Sequence, residues 1–239
     1  MTAVDSVLVG RPPIHVDVAS EFGWYHLRTG ERRIWFKGHL YAPFRQGSVA
    51  AGDIARLFAS GDSDEHARAL RGLDGHFAII VETPDWTLAA VDRVQSIPLF
   101  FGRGAGGEWR VDGIARRLLA RLGDQAFDSD GVFAFSMAGF TTGHRTLYRG
   151  LHSLLSGEMV LFHGGEAARR RWHIYRPWLA EAVERPAALR QLKSVTLGLF
   201  EKLRDSLAGR PVLVPLSAGL DSRLVVSANH ILREDQGGS

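Results

Sequence analysis

The chain has 239 residues, of which 45% are hydrophobic and 23% charged, so it can form a packed core and is neither disordered nor fibrous. The formal net charge of +3 gives little support for a nucleic-acid partner. The absence of cysteine excludes disulfides, cysteine-ligated metal clusters and a cysteine nucleophile.

Up to about Tyr175 the sequence predicts many strands and two pairs of helices. The strands are rich in aromatic and β-branched residues between Gly, Pro and Asp breaks, and are predicted over 23–27, 32–40, 76–81, 87–92, 99–101, 109–111 and 159–162. The helices are predicted over 53–59, 63–72, 112–122 and 129–138. This mixture indicates an α+β layered domain.

Two local patterns in this part allow alternative interpretations. The basic run from Arg169 to Arg171 follows an apolar strand, which favours a solvated strand edge over a phosphate-binding patch. The glycine-rich stretch 102–107 lies between two predicted strands and has no following helix in register. That context favours a hairpin loop over a dinucleotide-binding loop.

After Pro177 the pattern changes to that of a long amphipathic helix. This helix is predicted to end at the Gly-Arg-Pro sequence of residues 209–211. Its apolar residues recur every three or four positions, at Leu189, Leu192, Val195, Leu199, Leu203 and Leu207. A short apolar strand is predicted over 212–216, then a polar turn over 217–222 and an apolar helical segment over 224–231. The order helix, strand, loop and helix predicts the start of a parallel α/β domain.

The polar turn carries the residue types with the most chemical content. Ser217 and Ser222 can donate hydrogen bonds to phosphate oxygens, and Gly219 lets the backbone approach a ligand closely. Asp221 can hold Mg²⁺ or a water bound to it. The alternative is a capped helix without a ligand, because Asp-Ser before an apolar run is also a helix-start signal.

The turn resembles a known family motif. Ser217 to Ser222 (Ser-Ala-Gly-Leu-Asp-Ser) is similar to the PP-loop of the asparagine synthetase family of ATP pyrophosphatases, with Ala218 in place of its first Gly. Residues 73–78 and 90–100 resemble strands and a turn of that family's amidotransferase domain. Residues 146–151 and 155–158 resemble its connection to the synthetase half, so the motifs occur in the family's order.

The resemblance implies two domains. Residues 1–176 would form a degenerate, class II glutamine amidotransferase-like domain with the layered Ntn-hydrolase-like fold. Residues 177–239 would hold the connecting helix and an incomplete PP-loop domain. In a complete family member the reaction is ATP-dependent amide formation, in which a carboxylate substrate becomes an acyl-adenylate and an amine donor then displaces AMP.

The resemblance also implies roles for five residues of the loop region. Leu216 would lie against the nucleotide, while Ser217, Gly219, Asp221 and Ser222 would hold pyrophosphate. Asp221 would also bind the Mg²⁺ that accompanies ATP.

Departures from the family pattern predict that glutamine is not hydrolysed. Thr2 stands where glutamine-hydrolysing members have Cys, and Lys37-Gly38-His39 replaces their Asn-Gly-Glu. Residues 2–37 are too few to contain the family's carboxylate-binding Arg segment, and Asp53 aligns only loosely with its amine-binding Asp. The pattern is similar to members that work without glutamine, such as β-lactam synthetases and lasso-peptide cyclases.

A second hypothesis treats the chain as a non-catalytic interaction module, or as a split or truncated relative that needs a partner chain for the rest of the synthetase domain. The isolated chain is then expected to be inactive. No apolar run approaches the roughly 18 residues of a membrane span, and no signal-peptide pattern begins the sequence, so a cytoplasmic location without nucleic-acid or membrane partners is expected.

Overall fold

The computed structural model describes residues 14–41, 54, 56–58, 62–179, 182–207 and 211–237. The described residues divide into two compact units. The first contains those up to Tyr175 except Tyr41, and the second contains Tyr41 and those from Arg176 onwards.

Two sheets form the first unit, and their strands are numbered in chain order. The four-stranded sheet has the order β1-β7-β6-β8 and the six-stranded sheet the order β10-β9-β5-β4-β3-β2. Only the β1–β7 pair is parallel among the strand pairs of the described residues. The strands are β1 (Ile14–Val16), β2 (Tyr25–Thr29), β3 (Arg32–Leu40), β4 (Gly75–Glu82), β5 (Trp86–Val91), β6 (Phe100–Arg103), β7 (Trp109–Asp112), β8 (His152–Ser153), β9 (Glu158–His163) and β10 (Glu166–Arg171).

Three α-helices whose bounds lie within the described residues accompany these sheets, and carboxylates fix where two of them begin. Asp62 accepts hydrogen bonds from the N–H groups of Asp64 and Glu65 at the start of α1 (Ser63–Gly72). Asp128 accepts one from Gly131 at the start of α3 (Ser129–Ala138). Such caps satisfy N–H groups that have no partner within the helix. Between them lies α2 (Ala115–Leu122).

The hydrophobic core lies between the two sheets. Alternate residues of the six-stranded sheet, such as Ile80 and Val91, pack with Phe101 and Val111 of the four-stranded sheet. The opposite face of the six-stranded sheet is also buried, at positions that include Ile79, Val81 and Leu88. Because strand side chains alternate between faces, burial on both faces means that this sheet is covered on both sides.

Helices cover the outer faces of the two sheets. On the six-stranded sheet, the ring of His66 in α1 lies 4.9 Å from that of Trp86 in β5. On the four-stranded sheet, residues of α2 pack against Phe100, namely Leu118, Leu119 and Leu122. The layers therefore run helix, sheet, sheet, helix, and the α+β layered class predicted from the sequence is confirmed for this unit.

Most predicted elements of the first unit are found within a few residues of their predicted bounds. Helix α2 begins at Ala115 rather than 112, because the Asp112 carboxylate accepts the Ile114 N–H outside the helix. The predicted hairpin is found, but Gly102 and Arg103 lie in β6 and the loop between β6 and β7 is 104–108. The Arg169–Arg171 run lies on β10, an edge strand. Of the predicted helix 53–59 the structure describes residues 54 and 56–58, and the Phe58 N–H donates to Ile54 O, the spacing of an α-helix.

The second unit contains two long helices, α4 (Arg185–Leu207) and α5 (Leu220–Gly237). The strand predicted over 212–216 is wrong, because these residues have no regular secondary structure. A strand needs neighbours for its backbone groups, and no described segment pairs with this one, so Leu213 is 92% exposed. Helix α5 is also longer than the predicted 224–231. No helix of the described residues is long and apolar enough to cross a membrane.

A buried carboxylate lies where β7 meets α2. Asp112 is 1% exposed, and its second oxygen lies 3.3 Å from Nε of Arg117. Burial raises the pKa of Asp112, and the Arg117 guanidinium opposes that rise only in part. The folded chain therefore keeps a proton on this group at pH values where the unfolded chain has released it.

We expect this group to make the protein less stable as pH rises from about 4, the ordinary Asp pKa, to the raised pKa of the folded state. Asp112→Asn keeps an acceptor for Ile114 but cannot titrate. Urea unfolding of both proteins from pH 3.5 to 7 measures the difference in their free energies of unfolding, in which other groups cancel. A difference that does not change with pH would contradict the prediction.

Candidate functional site

The loop before α5 closes on the hydroxyl of Ser222. This oxygen lies 3.0 Å from Oγ of Ser217, 3.1 Å from the Ser217 carbonyl oxygen and 3.3 Å from the Gly219 carbonyl oxygen. It also accepts the Ser217 N–H at 3.1 Å, while Oγ of Ser217 accepts the Gly219 N–H at 3.2 Å. The structure therefore brings Ser217, Gly219 and Ser222 together in one exposed turn at the amino end of a helix.

The groups in this turn suit an anion such as a phosphate. Two hydroxyls lie beside the first turn of α5, whose N–H groups have no partners within the helix. Asp221 lies in that first turn, and Leu216 precedes the loop with its side chain 66% exposed. In the structure the two hydroxyls and the N–H groups of Ser217 and Gly219 bond to one another, so a phosphate held by Ser217, Gly219 and Ser222 would have to replace these bonds.

A metal at this loop would have to share its ligands with phosphate oxygens. Asp221 supplies one carboxylate, and the described residues contain no group of three or more His, Asp or Glu side chains that could hold a metal ion. Mg²⁺ commonly binds through one or two carboxylates together with substrate phosphates and water. Asp221 therefore fits Mg²⁺ as a companion of ATP and not as an independent site.

The amidotransferase-like positions lie on β3, in the six-stranded sheet. Lys37 pairs with Ala78 of β4, and His39 pairs with His76. Gly38 between them has φ +116°, and a Cβ there would come within 2.0 Å of the His76 carbonyl oxygen. The backbones of β3 and β4 thus approach each other too closely for any side chain. Thr2 and Asp53 lie outside the described residues.

Asp92 connects several segments that carry the family resemblance. Its buried carboxylate accepts the N–H groups of Phe77 at 3.0 Å, Val94 at 2.9 Å and Ser96 at 3.1 Å. Its carbonyl oxygen accepts the Gly157 N–H at 2.8 Å. The segments 73–78, 90–100 and 155–158 therefore meet at this residue, and their shared role is to hold β4, the turn after β5 and β9 together.

Beside this turn, Gln95 has an unusual backbone for a residue with a side chain, with φ +57°. Its side-chain Nε2 donates to the Leu154 carbonyl oxygen at 2.6 Å and to Oγ of Ser153 at 3.1 Å. These bonds offset the backbone strain and tie the turn to the segment before β9.

A His, a Ser and an Asp are in contact here, but in an order unsuited to nucleophilic catalysis. Nδ1 of His76 lies 2.9 Å from Oγ of Ser96, and that hydroxyl donates to Asp92 at 3.4 Å. In a catalytic triad the His lies between the other two and removes the hydroxyl proton. Here the Ser lies between the His and the Asp, so the order of a catalytic triad is not present.

Sequence reasoning missed a contact between the buried Glu158 and His144 at the start of β9. Glu158 is 2% exposed, and its Oε1 lies 2.6 Å from Nε2 of His144. Its Oε2 accepts the Leu155 N–H at 2.8 Å. The pKa of the neighbouring His152 is lowered, mainly by burial and to a smaller extent by the positive charge of Arg169. The spacing of these residues along the chain gives no sign of the contacts.

Comparison with known proteins gives structural matches only. No protein-family model and no curated protein matches the sequence. Among solved structures, an allosteric regulatory enzyme of purine biosynthesis matches with a TM-score of 0.34 and 16% identity over 63% of this chain and 31% of that chain. Glutamine phosphoribosylpyrophosphate amidotransferase from B. subtilis, complexed with ADP and GMP, matches with a TM-score of 0.32 and 15% identity. This match covers 63% of this chain and 32% of that chain.

The chain is thus similar in part of its fold to a glutamine amidotransferase, and the matched region spans about a third of the length of either enzyme. Similarity at these TM-scores carries no conclusion about substrate or activity.

Proposed function

We propose that the chain belongs to an asparagine synthetase-like amide ligase that binds ATP with Mg²⁺ through the loop Ser217–Ser222 and does not hydrolyse glutamine. The observation that carries the proposal is the turn at the start of α5, where Ser217, Gly219 and Ser222 converge next to Asp221. In such a ligase the phosphates would be held by this turn while a carboxylate is activated by adenylation and an amine then forms the amide.

The isolated chain holds only part of such a site. The loop donates charge-assisted hydrogen bonds, each contributing about 1.5 to 3 kcal/mol at best, and ordering its residues costs about 1 to 2 kcal/mol each. The described residues between α4 and α5 form no sheet that would support the loop. We therefore expect an ATP–Mg²⁺ affinity no better than millimolar, about −4 kcal/mol.

Amide NMR of the full chain during titration with ATP–Mg²⁺ tests the proposal. Shifts should be centred on Ser217–Ser222 and should be lost in Ser217→Ala and Asp221→Ala. Ser194→Ala and Asp205→Ala change the same residue types on the exposed surface of α4 and should bind as the wild type does. Binding that survives both loop variants, or shifts centred elsewhere, would show that the loop is a capped helix start.

Glutaminase activity is expected to be absent. Lys37 stands at the position of the family's oxyanion-binding Asn, and loss of one oxyanion donor alone costs about 3 kcal/mol of transition-state stabilisation. Incubation with glutamine and a coupled assay for glutamate should show no turnover above the blank. Turnover that disappears in Thr2→Ala would refute this part of the proposal.

The second hypothesis, a chain that works by docking to a partner, is favoured by the surface of α4. Leu189, Leu192, Val195 and Leu199 are each between 52% and 60% exposed along this helix. Exposed apolar stripes of this kind commonly mark protein contacts. On this hypothesis the partner chain would supply the sheet that the loop lacks, and ATP binding would tighten when it is added.

A further inference from the structure

The first unit contains a large open cavity that shares no lining residue with the loop Ser217–Ser222 or with the Lys37–His39 positions. It has a volume of about 570 Å³ and lies between α2, α3 and the segment from Phe140 to Ser153. Its apolar lining comes from Ala115, Leu119, Phe135, Phe140, Leu147 and Leu151. This volume is within the range of about 300 to 1,000 Å³ that is typical of small-molecule pockets.

The polar groups in the cavity wall are used by the wall itself. The Thr146 hydroxyl lies 3.1 Å from the Tyr148 carbonyl oxygen and 3.0 Å from that of Leu151, and the Thr141 hydroxyl donates to the carbonyl oxygen of Arg145 at 2.8 Å. The Arg145 guanidinium is paired with the carboxylates of Asp128 and Asp130.

These bonds fix the wall before any ligand arrives. They also leave mainly apolar atoms facing the cavity, so an occupant must be largely apolar.

One cation in the lining has no such partner. Arg116 contributes to the cavity from the exposed side of α2, and it makes no ion pair or side-chain hydrogen bond with the described residues. A guanidinium binds a carboxylate through two parallel hydrogen bonds. The cavity therefore combines an apolar interior with one anion-binding group that no described residue occupies.

We propose that this cavity binds a hydrophobic carboxylate, with its apolar body between Leu119 and Phe135 and its carboxylate at Arg116. The ligand would cover Phe135 and Phe140, which are 48% and 61% exposed. The carboxylate can belong to a free acid or to the C-terminal residue of a peptide. The site is independent of the proposed ATP-binding loop.

Titration of the full chain, with its leucine methyl groups labelled with ¹³C, tests the proposal. The probes are octanoate, 1-octanol and octylamine, together with acetyl-Ala-Phe and its C-terminal amide. Octanoate should shift the methyl signals of Leu119, Leu147 and Leu151 and should bind more tightly than octanol or octylamine. Stronger binding of acetyl-Ala-Phe than of octanoate would identify a peptide C-terminus as the source, and the reverse would identify a free acid.

Two variants separate the contributions of charge and space. Arg116→Gln should weaken octanoate binding about fivefold, the effect of one exposed ion pair, and should leave octanol binding unchanged. Ala115→Leu should occupy part of the cavity beside Leu119 and weaken binding of both octanoate and octanol by about tenfold, in line with the loss of a well-fitting apolar contact. Arg68→Gln, which alters an exposed arginine of α1, should change neither.

The proposal is overturned if octanoate leaves the three leucine signals unshifted or shifts leucine signals throughout the chain. It is also overturned if Arg116→Gln weakens octanoate and octanol equally, or if Ala115→Leu binds octanoate as the wild type does.

Discussion

Gly38→Ala should lower the free energy of unfolding by about 3 to 4 kcal/mol. The positive φ at this residue costs a side chain about 1 to 3 kcal/mol, and forcing extra atoms into a packed site adds about 1 to 3 kcal/mol. The added Cβ would meet the His76 carbonyl oxygen at 2.0 Å and Cδ1 of Ile97 at 2.8 Å. The first of these is backbone of the paired strand β4 and cannot turn away. Urea unfolding followed by circular dichroism measures the change.

Gly30→Ala is the matched control for this prediction. Gly30 also has a positive φ, +59°, but a Cβ there would meet nothing within 4 Å. Gly30→Ala should therefore lower the free energy of unfolding only by the cost of placing a side chain at a positive φ, about 1 kcal/mol. If the two variants lose equal stability, the close approach of β3 and β4 at Gly38 contributes nothing and the prediction is wrong.

Asp92→Ala should be similarly destabilising, by about 3 to 5 kcal/mol. The side chain is 1% exposed and accepts three backbone N–H groups, which the variant would leave without an acceptor. Each buried donor left unsatisfied costs about 1 to 3 kcal/mol. Thermal and urea unfolding of the purified variant measure the loss.

Two further variants show whether this loss of stability comes from the hydrogen bonds. Asp92→Asn keeps one acceptor oxygen, so its free energy of unfolding should lie between those of Asp92→Ala and the wild type. Asp85→Ala removes an exposed carboxylate from the turn between β4 and β5 and should change stability by no more than about 0.5 kcal/mol. A loss of less than about 1 kcal/mol in Asp92→Ala would mean that water or a rearranged turn satisfies the freed N–H groups.

The sequence predicted the elements whose signals are local. The predicted bounds of α1 and α3 agree with the structure, in which Asp62 and Asp128 cap these helices from the position directly before each. The central strands β4 and β5 follow from continuous apolar residues, because both faces of their sheet are covered. By contrast, β1 and β8 are two or three residues long and depend on partners distant in the chain, which no local pattern reveals.

The candidate site was predictable in composition but only partly in arrangement. The residues Ser217, Gly219 and Ser222 follow from the motif, and the structure brings them together. The strand before them did not form, because an apolar segment becomes a strand only beside a partner. The Asp92 and Glu158 contacts depend on side chains that meet across sheets and turns, so they required the structure.

The pairing of β5 with β9 sets the order in which the chain can complete its sheet during synthesis. Residues Trp86–Ala90 lie beside Met159–His163, so about 70 residues must be added after β5 before its second neighbour exists. At a ribosomal rate of about 5 to 20 residues per second, this takes roughly 4 to 14 s. Throughout that interval one edge of β5, a strand that is apolar except for Thr87, has no partner strand for its backbone N–H and C=O groups. Slower translation between Val91 and Glu158 should therefore lower the yield of soluble protein, and a chaperone that shields strand edges should restore it.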